Sequence, residues 1–440
     1  MDNKNKLKTG ESVKDYNKVS DWLSFESPNK IIISSGKVDI GQHISTTLAL
    51  ICSRELGIDI NSITVNKLNT DITPDEGITA SSLSVPNSGT AIRSASIIFR
   101  KRFLDYASKL LNLNKNKINL YDGVVKDPDS NASISYWDFS CKDEFLKLSI
   151  PEIIQDFDQK NIDHNSHVET KFINSIVKGE YKFLHDLKFD DMLHARIIRP
   201  PSYSHKFLCI DDTVYKYLKD HNLEIFIKNS FIAVLGKDEY EVINSLNRLK
   251  NSIQWEQLNK LANDEIFNSI EQNDKDSLVV KRGGEAFYET IPKIKSFSNN
   301  NYKTLTSEFN KPYLMHGSIG PSASCSIYKN GKFIIYSHSQ AIYALKSILS
   351  NAFNLNEQDI TLHFMPGAGC YGHNGADDVT YEVALLSKEF ENKYILLKWT
   401  REDENCWEPY GSASKNKLTA TLDKNNKVIY WSNEAYSDTY

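Results

Sequence analysis

The chain has 440 residues, a formal net charge of −5 and an isoelectric point near 6.2, and 25% of its residues are charged. A chain of this length can bury a large core and is expected to form more than one domain. The acidic balance, without a basic stripe, argues against a nucleic-acid-binding surface, and no apolar run approaches the length of a membrane span.

The first region predicts a βαβ unit. Residues 30–38 have the apolar content of a strand, residues 43–56 have apolar side chains at helical spacing, and Ile63–Val65 resumes as a strand. Gly57 supplies a stop signal at the end of the helix. A second, longer helix is predicted between Thr90 and Leu111.

Between about residues 170 and 260, short apolar runs alternate with two predicted helices, at 212–220 and 239–250. This alternation predicts a compact α+β module of domain size. The polar stretch Asn259–Asn301 predicts a linker or a surface segment. The predicted strands of the module are Tyr181–Leu184, Met192–Ile198, Glu224–Ile227 and Phe231–Leu235.

The third region repeats the layout of the first. A strand at Gly331–Tyr336, a helix from Gln340 to Phe353 and a strand at Ile360–Phe364 predict a second βαβ unit. A glutamine, Gln42 or Gln340, stands at the start of the helix in each unit. An internal duplication explains this similarity, and so does the common packing of independent βαβ units.

The segment Gly367–Asp378 has four glycines in nine residues and follows the last predicted strand. Glycine permits positive φ, and successive backbone amides in such a turn form a donor array for phosphate, pyrophosphate or an oxo group. The pattern matches neither the dinucleotide-binding nor the nucleoside-triphosphate-binding glycine motif. An ordinary tight loop is the alternative interpretation.

Two further loops have the same character. Gly41 and Gln42 precede a helix, and Thr79–Ser84 supplies small and hydroxyl side chains ahead of the long helix. Helix starts of this kind suit an anionic ligand, although helix caps use the same residue types. The carboxylate clusters at Asp377–Asp378 and Arg401–Glu404 suit acid–base chemistry, helix capping or pairing with arginine.

The six cysteines are far apart, and none has the spacing of a zinc or iron–sulfur site. The N-terminal residues are polar and contain no signal peptide pattern. These features predict a reduced, cytoplasmic protein in which no side chain binds a metal directly.

Four motifs in this order resemble the molybdopterin-binding large subunit of the xanthine dehydrogenase/aldehyde oxidase family. The similarity is closest to the branch of isoquinoline 1-oxidoreductase beta subunits and the corresponding nicotinate dehydrogenase subunits, and it covers nearly the whole chain. The motifs are Gly36–Gln42, Pro74–Ser84, Met192–Pro201, and the glycine-rich segment followed by Trp399–Glu404.

The resemblance implies an α+β fold: a molybdopterin-binding domain with βαβ repeats and an α/β hammerhead domain. Its first segment would be residues 1–145, the hammerhead 165–260, the linker 261–300, and an incomplete second segment 301–440. Family members continue for hundreds of residues beyond this point. The chain is therefore expected to be truncated, with the catalytic base glutamate beyond Tyr440.

The resemblance also implies the residues of the site. Gln340 would be the catalytic residue that hydrogen-bonds the apical oxo group of molybdenum, and the metal would be held by the cofactor. Two departures make xanthine-like substrates doubtful: Tyr371 stands where a phenylalanine is common, and Gly375 where a glutamate is expected. A third is His43, where the family has glycine. The implied cofactor-binding residues are Gly41, Gln42, Thr79, Ala80, Ser81, Ser82, Ser84, Gln340, Gly369, Cys370, Tyr371 and Gly372.

The implied activity is that of a molybdenum hydroxylase, which hydroxylates an N-heterocycle or oxidises an aldehyde with water as the oxygen source. The cofactor would be molybdopterin, in its cytosine dinucleotide form, and electrons would pass to [2Fe–2S] clusters on a small partner subunit. The missing C-terminal half, if separately encoded, would be a second partner. The alternative is a non-catalytic truncated or split-gene component with a binding or assembly role; a nucleotide-binding regulator lacks its fingerprint motifs.

Overall fold

A computed structural model describes residues 6–26, 29–115, 118–154, 168–258, 266–272, 281–282, 285–286, 295, 297, 301–371 and 377–437. Contacts between Cα atoms divide the chain into two compact units. The first unit comprises Met1–Arg199, Ile210–Ile253 and Ser318–Glu404, and the second comprises Pro200–Cys209, Gln254–Gly317 and Asn405–Tyr440.

The N-terminal part of the first unit is a helical layer on small sheets. Its elements are β1 (Leu7–Lys8), β2 (Leu23–Glu26), β3 (Lys30–Ile33), α1 (Ile44–Leu56), β4 (Ile63–Val65), α2 (Thr90–Leu110), β5 (Leu120–Tyr121), β6 (Val124–Lys126), β7 (Ser133–Ser135), α3 (Tyr136–Ser140), α4 (Asp143–Leu146) and β8 (Ile153–Ile154).

The first predicted βαβ unit is confirmed. Strands β3 and β4 pair in parallel, with Ile31 opposite Ile63, and α1 is the crossover between them. The helix buries Leu48, Cys52 and Leu56, which lie four residues apart on one face and pack in a core with α2. The helix ends at Gly57 in a left-handed conformation, as its stop signal predicts.

The rest of the first unit is built on a mixed sheet of seven strands in the order β11-β12-β9-β20-β17-β18-β19. Its elements are α5 (Ile173–Val177), β9 (Leu193–Ile198), α6 (Thr213–Asp220), β11 (Glu224–Lys228), β12 (Phe231–Gly236), α7 (Glu239–Asn251), β17 (Ala323–Lys329), β18 (Lys332–Ser337), α9 (Ile342–Phe353), β19 (Ile360–Phe364), α10 (Asp378–Glu389), β20 (Ile395–Lys398) and α11 (Arg401–Trp407), of which α11 ends beyond this unit.

The second predicted βαβ unit is also confirmed. Strands β18 and β19 pair in parallel through the crossover helix α9, and α10 packs on β17. The two βαβ units belong to different sheets. An internal duplication remains a prediction.

The described residues of the second unit form two two-stranded sheets and one three-stranded sheet. Strands β10 (His205–Ile210) and β13 (Ile253–Gln257) pair with each other, and β16 (Lys303–Lys311), β21 (Ser414–Leu422) and β22 (Val428–Ser437) form the three-stranded antiparallel sheet. The remaining elements described are α8 (Ile266–Gln272), β14 (Lys281–Arg282) and β15 (Glu285–Ala286).

One element differs from its prediction. Residues 181–184 form no strand, and a 3-10 turn at Leu184–Asp186 stands at its end. The amide of Leu184 donates to the carbonyl of Pro366 at 2.9 Å, and the amide of Phe183 donates to the Asp186 carboxylate at 3.0 Å. These partners replace the neighbouring strand that a β-strand would require. The domain boundaries at 145, 165, 260 and 300 remain predictions.

His43 immediately precedes α1 with φ 60° and ψ 31°, a left-handed conformation that glycine adopts without strain. We expect His43→Gly to raise the free energy of unfolding by about 0.5 kcal/mol, because relief of strain exceeds the entropy lost by glycine. Urea denaturation measures this change. Thr47→Gly, inside the same helix, is the control and should lower stability by about 1 kcal/mol; equal losses in both variants would contradict the expectation.

Candidate functional site

Hydrogen bonds join three of the predicted cofactor-binding segments. The amide of Thr79 donates to the backbone carbonyl of Gln340 at 2.9 Å, and the side-chain amide of Gln340 donates to the Thr79 carbonyl at 2.8 Å. The hydroxyl of Thr79 accepts from the amide of Val38 at 3.0 Å. Both Thr79 and Gln340 are buried. The loops before α1, α2 and α9 therefore meet at Thr79.

Glu76 fastens the loop before α2 to the end of β3. Its carboxylate accepts from the amide of Gly36 at 2.8 Å and from the Ser88 hydroxyl at 2.6 Å. A Cβ at Gly36 would lie 2.1 Å from the carbonyl oxygen of Pro74, so only glycine fits there. The Lys37 ammonium donates to the carbonyl of Glu76 at 2.6 Å, and burial lowers the pKa of this lysine despite the nearby carboxylate.

The polar side chains of Asp39 and Gln42 bond to their own segment and its immediate neighbours. Gln42 accepts from the amide of Ile40 at 2.7 Å and donates to the carbonyl of Val38 at 2.9 Å. The Asp39 carboxylate accepts from the amides of residues 41, 43 and 45 at 3.1–3.3 Å. Gly41 has φ 104°, and nothing lies within 4 Å of the position of a Cβ. Because the side chains of Asp39 and Gln42 are used within the loop, residues 39–42 offer mainly backbone atoms to a ligand.

The serine residues ahead of α2 lie in a different environment. Ser81 and Ser82 have φ of 54° and 57° and are exposed. Ser84 follows in right-handed helical conformation, and a π-helical turn at Val85–Gly89 leads into α2. Exposed hydroxyls at the start of a long helix form an environment that suits an anion. Ala80 lies between Thr79 and these serines.

The glycine-rich loop after β19 is held by close packing. A Cβ at Gly367 would lie 3.2 Å from the side chain of His338, and one at Gly369, where φ is 119°, would lie 3.0 Å from the ring of Tyr371. Tyr371 itself has φ 55° and is 57% exposed, whereas Cys370 is buried. Gly372 lies outside the described residues, as do residues 373–376.

A cavity of about 590 Å³ brings the first and third loops together. Asp39–His43 and Pro366–Tyr371 form part of its wall, and apolar side chains from residues 172–183 and Ile319 form the rest. Gly41, Gln42, Gly369, Cys370 and Tyr371 therefore line one space. Gln340 and residues 79–84 are not among the lining residues. Thr79 is joined to this wall through the backbone at Val38.

A buried ion cluster lies beneath α10, around Arg199. The guanidinium donates to Glu382 at 2.6 Å, lies 3.8 Å from the carboxylate of Asp403, and stacks on the ring of Trp399 with 4.4 Å between its carbon and the ring centroid. The indole of Trp399 donates to the second carboxylate oxygen of Glu382 at 2.7 Å. Burial raises the pKa of Glu382, although Arg199 opposes the shift.

Asp377 and Asp378 extend this acidic cluster toward Gln340. Burial raises the pKa of Asp377 to about 7, and its hydrogen bond with Ser339 and the charge of Asp378 modify that shift. Burial also raises the pKa of Asp378, against the charge of Arg199. The Arg199 guanidinium therefore faces the buried carboxylates of Glu382 and Asp403, and Asp377 changes its protonation state in the neutral range of pH. The sequence identified this carboxylate pair but not its position next to Ser339.

His338 is a structural residue. Its Nε2 accepts from the amide of Ala323 at 3.2 Å, and burial lowers its pKa to about 4. A neutral imidazole that accepts at Nε2 carries its proton on Nδ1. Within the described ranges, no group of three histidine, cysteine, aspartate or glutamate side chains is arranged to hold a metal ion.

Sequence reasoning missed Arg199 as the centre of the cluster. Arg199 lies in the Met192–Pro201 motif, and its partners Trp399 and Asp403 lie in the Trp399–Glu404 motif. Both motifs were recognised, but a single sequence contains no signal that pairs them in space. The available signal was the occurrence of a tryptophan and acidic residues in one motif and two arginines in the other.

The family model that matches this chain is described as a molybdopterin cofactor-binding domain. The match covers residues 5–173, which include Gly41, Gln42 and Thr79–Ser84. Residues 5–173 are therefore similar to a molybdopterin cofactor-binding domain. This match confirms the molybdopterin part of the predicted cofactor, and it supports the resemblance found in the sequence.

Curated relatives match nearly the whole length of the chain. A nicotinate dehydrogenase subunit of Pseudomonas putida is 25% identical over 418 residues, 92% of this chain and 34% of that protein. The membrane-bound aldehyde dehydrogenase (pyrroloquinoline-quinone) of Gluconacetobacter polyoxogenes is 21% identical over 419 residues, 92% and 53% respectively. The chain thus spans about a third to a half of these relatives. Both are dehydrogenases, so the assignment to an oxidoreductase family is confirmed.

Solved structures resemble the chain more distantly. Quinoline 2-oxidoreductase from Pseudomonas putida 86 matches 60% of this chain and 38% of its own, with a TM-score of 0.42 and 11% identity. The aldehyde oxidoreductase from Desulfovibrio gigas matches 60% of this chain and 33% of its own, with a TM-score of 0.43 and 12% identity.

No helix in the described part of the chain is long and apolar enough to cross a membrane.

The ion cluster around Arg199 predicts a large effect of Arg199→Met. Removal of the cation leaves buried carboxylates unpaired, and we expect a loss of about 3–5 kcal/mol in the free energy of unfolding at pH 8. The loss should be smaller at pH 5, because Glu382 takes up a proton more readily without the arginine. Urea denaturation at both pH values measures it.

The matched control for Arg199→Met is Lys237→Met. It removes an exposed ion pair with Asp191, 2.7 Å long, and should cost less than about 1 kcal/mol at either pH. Equal effects of the two substitutions would show that the buried cluster does not stabilise the unit.

The raised pKa of Asp377 predicts a dependence of stability on pH. Between about pH 4 and pH 7 the folded state holds a proton that the unfolded state, with its ordinary pKa of 3.8, releases. Stability should therefore fall as pH rises through this window. Asp377→Asn should remove part of this fall and be more stable than the original chain at pH 8. Because the pKa values of Asp378 and Glu382 are also raised, the stability of the variant should still fall slightly with pH. Identical stability–pH profiles of the variant and the original chain would contradict the raised pKa of Asp377.

Proposed function

We propose that this chain is the molybdenum-binding part of a molybdenum hydroxylase that hydroxylates an N-heterocycle or oxidises an aldehyde, with water as the oxygen source. The observation that carries the proposal is the meeting of the cofactor-binding loops. Thr79 bonds to both Gln340 and Val38, and Gly41 and Gln42 line one cavity with Gly369–Tyr371.

The residues present fit a molybdopterin cofactor. The exposed Ser81 and Ser82, in left-handed conformation ahead of α2, supply hydroxyl and backbone donors for a phosphate. Gly41 presents open backbone to the cavity, where a flat ring can approach without meeting a Cβ. When bound, the cofactor supplies the oxygen-transfer and two-electron chemistry. We assign the cytosine dinucleotide form because the family resemblance implies it; the loops supply places for a ring system and for phosphate.

We assign separate tasks to the chain's own side chains. Gln340 is the catalytic residue, which donates from its amide at the edge of the cofactor. Thr79 holds Gln340 in place through its carbonyl, and the Arg199 cluster fixes α10 beneath it. Asp377, next to Ser339, holds a proton close to this loop. Ala80, Ser84, Cys370 and Gly372 complete the assigned cofactor-binding set.

Other components are assigned to polypeptide outside these 440 residues. A [2Fe–2S] cluster needs four ligands, usually cysteines, and the six cysteines of this sequence lack the spacing of an iron–sulfur site. We therefore propose that a small iron–sulfur subunit accepts the electrons and that the general base lies in a further segment. We propose a cytoplasmic location, because six widely spaced cysteines without a disulfide framework suit a reducing compartment.

A second candidate is a non-catalytic component with a binding or assembly role. The observation that favours it is that Gln340 and residues 79–84 are not among the residues that line the cavity. Metal and pterin analysis separates the two candidates. Molybdenum and pterin in the purified protein, alone or with its partner subunits, support the hydroxylase, and their absence from both preparations supports the binding role.

Substitution of Gln340 tests the catalytic assignment. We expect Gln340→Ala to lower kcat by roughly 10²–10³-fold in the complete enzyme. This is the usual effect of removing one hydrogen-bond donor from the charge that develops in the transition state. The control Gln358→Ala changes an exposed glutamine outside the loops and should leave kcat unchanged. Thermal unfolding of both variants separates a catalytic loss from misfolding, and full activity of a folded Gln340→Ala would refute the assignment.

A further inference from the structure

The seven-stranded sheet of the first unit has one covered edge and one open edge. At the covered edge, the amide of Phe364 on β19 donates to the carbonyl of Leu68 at 2.9 Å, and the amide of Thr70 donates to the carbonyl of Leu362 at 3.1 Å. At the opposite edge, β11 pairs with β12 on one side, and no described residue hydrogen-bonds to the backbone on its other side. Unpaired N–H and C=O groups along a sheet edge are a template for a further strand.

The turn between β11 and β12 decides which backbone groups of β11 point outward. Lys228 lies opposite Phe231 across a turn of two residues. The pair that closes such a turn exchanges hydrogen bonds, and bonded pairs alternate with non-bonded pairs along the two strands. Ile225 and Ile227 are at the alternate positions. Their N–H and C=O groups therefore point away from β12, toward the open edge.

The side chains of β11 have an apolar centre between two opposite charges. Ile225, Phe226 and Ile227 are half-buried, and Glu224 and Lys228 are exposed. A groove of about 770 Å³ runs between residues 225–228 and the helices α9 and α10, so the strand has open space beside it. Proteins commonly protect an exposed edge with proline or with a charge inside the strand. The three central residues of β11 have neither.

The strand Glu224–Lys228 is complementary to itself in the antiparallel direction. When two copies pair about Phe226, Glu224 of each copy lies opposite Lys228 of the other, and Ile225 lies opposite Ile227. The two isoleucines are also the residues whose backbone groups point outward, so this register satisfies those groups. Opposite charges that face each other across a strand pair are stabilising, and like charges are destabilising. A parallel pair in register would instead place Glu224 beside Glu224.

We propose that β11 is a self-association surface, at which a second copy of this chain adds its own β11 in antiparallel orientation about a two-fold axis at Phe226. The contact is isologous, and it joins the two sheets edge to edge. The charges select the second copy as the partner, because each end of β11 meets its opposite there. A contact between two strands of five residues is small, so we expect a dissociation constant of about 1–100 μM. This inference is independent of the proposed function.

Charge reversal tests this register. Sedimentation velocity of the full purified chain, between about 1 and 200 μM, measures the monomer–dimer equilibrium. Glu224→Lys and Lys228→Glu each place like charges opposite one another, and each should weaken dimerisation at least about tenfold. The double variant, and an equimolar mixture of the two single variants, pair opposite charges again. Both should dimerise with a dissociation constant within about threefold of that of the original chain.

Two further variants separate a local contact from a general effect. Lys216→Glu makes the same charge change as Lys228→Glu on the exposed surface of α6, and it should leave the dissociation constant unchanged. Ile227→Pro removes one outward N–H and keeps the bonds to β12, because proline is tolerated where the N–H faces away from the sheet. It should abolish the dimer, and circular dichroism verifies that it is folded. If it does not fold, the charge-reversal series decides alone.

Several outcomes would overturn the proposal. A chain that stays monomeric up to about 200 μM has no self-association surface at β11. A dimer that Lys228→Glu weakens no more than Lys216→Glu does is held at another surface, as is one that persists in folded Ile227→Pro. Weakening by the single variants without recovery in the double variant or in the mixture would exclude the antiparallel pairing about Phe226.

Discussion

The buried guanidinium of Arg199 is the constraint on which the first unit depends. It sits between Glu382 on α10, Asp403 on α11 and the ring of Trp399, so two segments far from Arg199 in the sequence share its charge. A buried charge tolerates little displacement, because any gap leaves an ion without solvent or partner. The cluster therefore fixes the start of α10, and through Asp377 and Ser339 it fixes the loop that carries Gln340.

The predictable parts of the molecule have local causes. Helices α1, α2 and α9 and strand β19 follow from periodic apolar residues and stop signals, and their bounds agree with prediction within two residues. The loops predicted to bind the cofactor could be recognised because glycine and serine at helix starts have local signatures. Their mutual bonds, such as that between Thr79 and Gln340, have no signal in the sequence; the family resemblance assigns both residues to one cofactor but predicts no bond between them. Left-handed backbone at asparagine and aspartate has a known residue preference, but at His43, Ser81, Ser82 and Tyr371 the residue type gives no such signal.

The candidate site divides its surface between two kinds of contact. Around the cavity, the side chains of Asp39 and Gln42 hydrogen-bond to nearby backbone. Backbone and apolar rings form much of the remaining wall. Ahead of α2, by contrast, Ser81 and Ser82 remain exposed. A ligand with a flat ring system at one end and phosphate at the other matches this division, and a ligand that is charged throughout does not.

The bond between Gln340 and Thr79 joins residues 261 positions apart, and β20 pairs in parallel with β9 across a similarly long interval. Contacts of such long range form late, because closure of the intervening loop costs entropy before any contact is gained. During synthesis, the βαβ unit of α1 can assemble early, but the complete site can form only after α11 has emerged from the ribosome. The newly made N-terminal part therefore passes through a period in which its cofactor loops are present but not yet held together.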